Sequence, residues 1–246
     1  MPRLRLSTAF VLLALTGCAT SAPTAPPAST PAEVPLEIRW TRLSAEHLAI
    51  YTQTYRSATA HLRAVADTLS ARDWAVILDA DETILDNSLY QKRRAEQGLG
   101  YSSESWNAWA REAAAPALPG AVAFTDEVVR LGGRVVIVTN RAEAVCDETR
   151  ANLTRIGVDA AAVLCQTDVG DKNPRFEAVQ RGAVPGLPAL DVVMWVGDNI
   201  QDFPALGQDV RFAGPTALAD VGGRFWVLPN PMYGSWTRNE EPADTP

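Results

Sequence analysis

From Ser44 to Leu69 the apolar positions Leu48, Tyr51, Tyr55, Ala58, Leu62, Val65 and Leu69 recur at spacings of three and four, the period of one helical face. Ser44, with Glu46 and His47 behind it, suits a helix start, so the pattern predicts an amphipathic helix over this stretch. The period then changes. Trp74-Ala-Val-Ile-Leu78 is a continuous apolar run, as expected of a strand buried on both faces. Similar runs recur at Val135–Val138, Ala161–Leu164 and Val192–Val196, with a weaker one at Phe225–Leu228. Helical stretches lie between them, at Ala121–Leu131, Ala142–Ile156 and Phe176–Arg181. Such alternation predicts an α/β fold, a Rossmann-like parallel sheet flanked by helices on both faces. In sheets of this kind ligands sit at the carboxyl ends of the strands. The segment 86–119 departs from the alternation. It is rich in Trp, Ala and Glu and reads as a small helical cap inserted after the first strand.

Composition narrows the field. The chain has 246 residues, 47% of them hydrophobic, with a formal charge of −7. An acidic chain is a poor match for nucleic acid, whose phosphates attract basic faces. No apolar run reaches the roughly 18 residues that would span a bilayer. Arg3, Arg5 and the apolar run Ala9–Leu15 form the n- and h-regions of a signal peptide. The following Leu15-Thr16-Gly17-Cys18 resembles a bacterial lipobox, which implies removal of residues 1–17 and acylation of Cys18. An ordinary signal peptide cut elsewhere is the alternative. Ala19 after the cysteine, where Asp is the usual inner-membrane retention signal, suggests by resemblance a lipid anchor at the outer membrane, facing the periplasm or the surface. Residues 18–35 read as a Pro/Ala-rich linker, 36–238 as the folded domain, and 239–246 as a disordered acidic tail.

Two acidic strand ends carry the chemistry. The first strand runs into Asp79-Ala-Asp81-Glu-Thr83, and a later one into Gly197-Asp198-Asn199-Ile-Gln-Asp202. Carboxylates at buried strand ends are costly unless a cation or hydrogen bonds compensate them, and a hard divalent ion such as Mg²⁺ fits oxygen ligands. An EF-hand calcium loop is excluded, because its sixth and twelfth positions here are Ile84 and Tyr90 rather than Gly and Glu.

The string VILDADETILDNSLYQ (76–91) closely resembles motif I of the class C acid phosphatases, DDDD phosphohydrolases of the haloacid dehalogenase superfamily. VVIVTNR (135–141), DKNPR (171–175) and MWVGDNIQDF (194–203) resemble motifs II, III and IV, and LPNPMYGSW (228–236) the C-terminal signature. The likeness runs from about Trp40 to Trp236. It implies a Mg²⁺-dependent acid phosphatase that hydrolyses phosphomonoesters, with Asp79 as nucleophile forming an aspartyl-phosphate. Asp81 would protonate the leaving alcohol and then deprotonate the attacking water. The implied metal set is the Asp79 carboxylate, the Asp81 carbonyl and the Asp198 carboxylate, with Asp202 orienting metal-bound water. Thr139 and Asn140, with their hydroxyl and amide, and Lys172, with its charge, would bind the phosphoryl group. Arg175 and Arg141 stay open between substrate contact and an ion pair with a nearby carboxylate.

Some relatives act as 5′-nucleotidases, so nucleoside 5′-monophosphates are candidate substrates. Aromatic faces of Tyr90, Trp106, Trp109 and Tyr233 suit a nucleobase, although the i, i+3 spacing of Trp106 and Trp109 equally suits packing within a cap helix. Cys146 and Cys165 come to the same sheet edge and form either a disulfide or two separate buried thiols. His47 and His61 lie fourteen residues apart on the N-terminal helix and read as structural or exposed. A homodimer, a narrower nucleotidase and a non-catalytic surface lipoprotein retaining the fold stay open as alternatives.

Overall fold

A computed structural model describes residues 33–69 and 73–240. The signal segment 1–17, Cys18, the linker as far as residue 32 and tail residues 241–246 lie outside the described residues. Five strands form one parallel sheet: β1 (Trp74–Leu78), β2 (Arg134–Ala142), β3 (Ala162–Gln166), β4 (Asp191–Gly197) and β5 (Phe225–Val227), in the order β3-β2-β1-β4-β5. The most apolar strand, β1, is central and buried along its whole length.

Because successive residues of a strand point to opposite faces, β1 feeds two separate cores. Val76 and Leu78 pack with Tyr51, Tyr55 and Leu62 of α2 (Ala45–Leu69) and Phe124 and Val128 of α5 (Ala121–Arg130). Ala75 and Ile77 pack on the other side with Phe176 and Val179 of α7 (Asn173–Arg181). The remaining helices are α1 (Leu36–Leu43), α3 (Ser88–Glu96), α4 (Ser103–Glu112) and α6 (Cys146–Arg155).

Helix α1 is absent from the sequence reading. It is two turns long and is separated from α2 by Ser44, whose extended backbone interrupts the helix and whose hydroxyl accepts the His47 N–H at 3.1 Å. Strand β2 continues four residues beyond its apolar run, past an irregularity after Val138, until Ala142 pairs with Gln166. Helix α6 therefore begins at Cys146, after a short 3-10 turn at Glu143–Val145, and not at Ala142. Segment 86–119 holds α3 and α4. Its two ends are pinned together by Asp86 N–H to Pro116 O at 2.9 Å and Leu118 N–H to Ile84 O at 2.8 Å.

Cys146 and Cys165 are bonded as a disulfide, which ties the start of α6 to β3. Glu143 lies close to both sulfurs, but oxidised cysteines offer no thiolate to a metal. His47 is buried against Trp40 and Tyr51, and His61 packs near Trp226. Among the described residues no helix is long and apolar enough to cross a membrane.

Candidate active site

A cavity of about 900 Å³ opens at the carboxyl ends of the strands. Asp79, Asp81, Asp198, Asp202 and Lys172 all line it, so three segments distant in sequence converge on one point. Asp79 follows β1 directly, and its N–H bonds Val196 O of β4 at 3.0 Å. Asp198 follows β4, beside it in the sheet. Asp202 lies at the end of a 3-10 turn, where its Oδ2 accepts the Asn199 N–H at 2.9 Å. Gly197 is required for that approach, since a Cβ there would lie 2.3 Å from the Asp202 carboxylate.

Lys172 precedes α7 and is buried. Its Nζ donates to Asp79 Oδ1 at 2.5 Å and to Asp202 Oδ1 at 2.7 Å. Burial alone would lower its pKa, but the Asp202 and Asp79 carboxylates outweigh that and hold it above the usual lysine value. The chain's other lysine, Lys92, pairs with Glu96 on α3. Burial pushes the Asp79 carboxyl up to about 7; Lys172 pulls it down while Asp202 and Asp81 add to the rise. Asp198 is raised well above the usual range by burial and by Asp202 and Asp79.

Asp79, Asp198 and Asp202 each present a carboxylate oxygen, all within 4.8 Å of one another. Three clustered carboxylates facing one ammonium leave negative charge uncompensated, and the donor set is all oxygen. That combination fits a hard divalent cation. The Asp198 carboxylate is held by Asn230, which donates from Nδ2 to Oδ2 at 2.8 Å, and lies 3.4 Å from the Thr83 hydroxyl.

Asp81 is placed differently. Its Oδ1 accepts Arg141 Nε at 2.9 Å, a terminal Arg141 nitrogen at 2.8 Å and Asn87 Nδ2 at 2.9 Å. Arg141 is fully buried and thus resolves to the ion pair, not to substrate contact. Arg175 makes no ion pair among the described residues: it donates to Thr139 O at 2.6 Å, to Asn140 Oδ1 at 2.5 Å and to Leu164 O at 3.4 Å. Burial lowers its pKa from the usual guanidinium value.

Asn140 lines the cavity. Its Nδ2 donates to Gly170 O at 2.8 Å while its Oδ1 holds Arg175, so both ends serve to join motifs II and III. Thr139 is fully buried, its Oγ1 accepting the Arg141 N–H at 3.1 Å, and does not line the cavity.

Of the four aromatic residues, Trp106 and Tyr233 line the cavity with ring centroids 6.4 Å apart. Tyr90 and Trp109 do not line it. The Tyr90 hydroxyl bonds the Ser105 hydroxyl, and Trp109 Nε1 donates to Asn87 Oδ1 at 2.7 Å, which holds Trp109 in the core. The sequence reading missed Tyr101 on the cavity wall, and also Asn87, Glu82 and Asn230. Glu82 is buried at φ +50, with its carbonyl accepting the Tyr51 hydroxyl and its side chain the Asn87 N–H. Burial, with Asp81 and Asp198 nearby, raises its pKa well above the usual range. All three stand inside the quoted motif strings; Asn87 and Glu82 are buried and Asn230 half-buried.

The family model for the HAD superfamily, subfamily IIIB (acid phosphatase), matches residues 14–236. The chain belongs to that subfamily. The class C acid phosphatase of Bacillus anthracis has the same fold at a TM-score of 0.74 and 32% identity, over 81% of this chain and 84% of that one. A structure of the Bacillus anthracis enzyme with tungstate bound matches at 0.73 and 31%, with the same coverage. Acid phosphatase 1 of Solanum lycopersicum is 27% identical over 160 residues, 64% of this chain, and the match spans 57% of that relative's length.

Proposed function

We propose that this subfamily IIIB member is a metal-dependent acid phosphatase that hydrolyses phosphomonoesters through an aspartyl-phosphate on Asp79. The observation that carries the reading is the convergence of Asp79, Asp198 and Asp202 around one point, with Lys172 Nζ bridging two of them. The tungstate bound by the Bacillus anthracis relative, a phosphate-like oxyanion, supports a phosphoryl pocket here.

The Asp79 and Asp198 carboxylates and the Asp81 carbonyl would hold Mg²⁺, with Asp202, close by, orienting metal-bound water. When bound, the cation supplies positive charge that offsets repulsion between phosphate and carboxylate. Asp79 is then the carboxylate that displaces the leaving alcohol. Lys172 stabilises the charge on the transferring group. Asp81 gives the alcohol its proton and later takes one from the attacking water.

The 6.4 Å approach of Trp106 and Tyr233 at the cavity wall favours a second, narrower reading, a 5′-nucleotidase whose substrate base lies against these rings. We further infer that residues 1–17 are removed and that acylated Cys18 anchors the protein at the bacterial outer membrane. The test of the main reading is p-nitrophenyl phosphate release by wild type and Asp79→Asn, with and without EDTA. Wild type alone should turn over, and EDTA should abolish it. Equal rates for the two proteins would end the mechanism.

A further inference from the structure

The general-acid reading of Asp81 leaves a question of orientation. A carboxyl group has two oxygens, and only one of them can hold the proton and face the leaving alcohol. In this structure three donors converge on Oδ1: two from the buried Arg141 guanidinium and one from Asn87 Nδ2. No donor among the described residues reaches Oδ2, and Asp81 lines the cavity.

Asn87 is the node of this arrangement, and it is fully buried. Its N–H and Nδ2 hold the Glu82 carboxyl, at 2.8 and 3.3 Å. Its Oδ1 accepts Arg141 at 3.1 Å and Trp109 Nε1 at 2.7 Å. With Oδ1 filled from Arg141 and Trp109, the amide cannot flip without losing both bonds and placing its NH₂ group against two donors. Trp109 belongs to α4 and is packed beside Tyr90, so the cap segment is hydrogen-bonded to the carboxyl of Asp81 through a single buried amide.

We propose that Asn87 and Trp109 are positioning residues that hold Asp81 with Oδ2 toward the leaving group, so that the helical segment 88–112 sets the efficiency of proton donation. The proposal rests on the phosphatase reading above. In the first step the Asp79 oxygen bonds to phosphorus, the bond from phosphorus to the ester oxygen breaks, and the proton on Asp81 Oδ2 passes to that oxygen. In the second step a water oxygen bonds to phosphorus, the Asp79 oxygen leaves, and the water proton returns to Asp81.

The step that separates a positioning role from a structural one is the first. p-Nitrophenolate departs without a proton, whereas the alkoxide of benzyl phosphate must be protonated as it leaves. Both leaving groups carry one ring of similar size, and kcat/KM reports only events up to the first irreversible departure. Asn87→Leu removes both functions of the amide, and general-acid catalysis is commonly a factor of 10²–10⁴. We expect its kcat/KM to fall about 50-fold for benzyl phosphate and about 3-fold for p-nitrophenyl phosphate. Trp109→Phe removes the N–H together with part of the buried indole, so it is read as the ratio of the two esters, which lost packing alone would not move. Its ratio of benzyl to p-nitrophenyl activity should fall about 5-fold, the effect of one hydrogen bond.

If Asn87→Leu does not fold, Trp109→Phe decides alone. A ratio within 2-fold of wild type in every folded variant would overturn the proposal while leaving the phosphatase reading intact. Wild type inactive on both esters would instead remove the reading on which the proposal rests.

Discussion

Replacing Lys172 with Met removes the one ammonium group in the cavity that neutralises the aspartates. Its Nζ lies 2.5 Å from Asp79 and 2.7 Å from Asp202, and the three side chains are 5%, 10% and 6% exposed. Deleting one partner of a buried ion pair costs about 3–5 kcal/mol, because the other charge is left without compensation. For a domain of this size each kcal/mol moves Tm by about 2–4 °C, so the variant should melt about 10 °C below wild type at pH 8 in EDTA. The sign of the pH effect follows from Asp79. Its carboxyl is already raised to about 7 with Lys172 pulling it down, and rises further without it. Below that pH the folded variant binds a proton and cancels the stranded charge. The deficit should therefore be larger at pH 8, where wild-type Asp79 is ionised, than at pH 5, where both proteins carry the proton, and saturating Mg²⁺ at pH 8 should recover part of it. Thermal melts followed by circular dichroism at the two pH values check this. A variant within 2 °C of wild type at pH 8, or a deficit equal at both pH values, would refute the view of Lys172 as the internal counter-ion.

Three further outcomes follow from the same geometry. In cation-free wild type, folded Asp79 retains a proton that the unfolded chain loses above its ordinary value, so stability should decline as pH rises from about 4 to about 7 and Mg²⁺ should raise Tm more at pH 8 than at pH 5. Asn230→Ala removes the donor to Asp198 Oδ2 and the acceptor for the Met232 and Tyr233 N–H groups. It should weaken Mg²⁺ binding 10- to 100-fold, read by calorimetric titration, with a smaller loss of rate at saturating Mg²⁺. Replacing Cys146 and Cys165 by Ser opens a loop of sequence separation 19 and should cost about 3 kcal/mol in urea unfolding.

The sheet was legible because burial on both faces demands apolar runs, and β1 begins and ends where its run does. What the pattern hid is polar chain that tertiary contacts recruit. Thr139, Asn140 and Arg141 read as loop, yet they continue β2 because Ala142 pairs with Gln166 and Arg175 bonds the Thr139 carbonyl. Helix α1 escaped notice because two turns after a proline-rich stretch make too short a period, and its buried face is only Ile38 and Thr41. The aspartates were legible in the site because their charge at strand ends is conspicuous. Asn87, Glu82 and Asn230 were not, because an amide or carboxyl says nothing about its partner until distant segments meet. The same limit explains Trp109, whose ring could face substrate or core on spacing alone and which Asn87 claims.

The central claim is that Asp79 accepts the phosphoryl group. Acid-quenching wild type during turnover of p-nitrophenyl phosphate with Mg²⁺, then mapping the protein by peptide mass spectrometry, tests it most directly. The account predicts one added phosphoryl group on the peptide containing Asp79, absent in Asp79→Asn and in EDTA. Steady turnover with no modified peptide, or with the phosphoryl group on another residue, would contradict it.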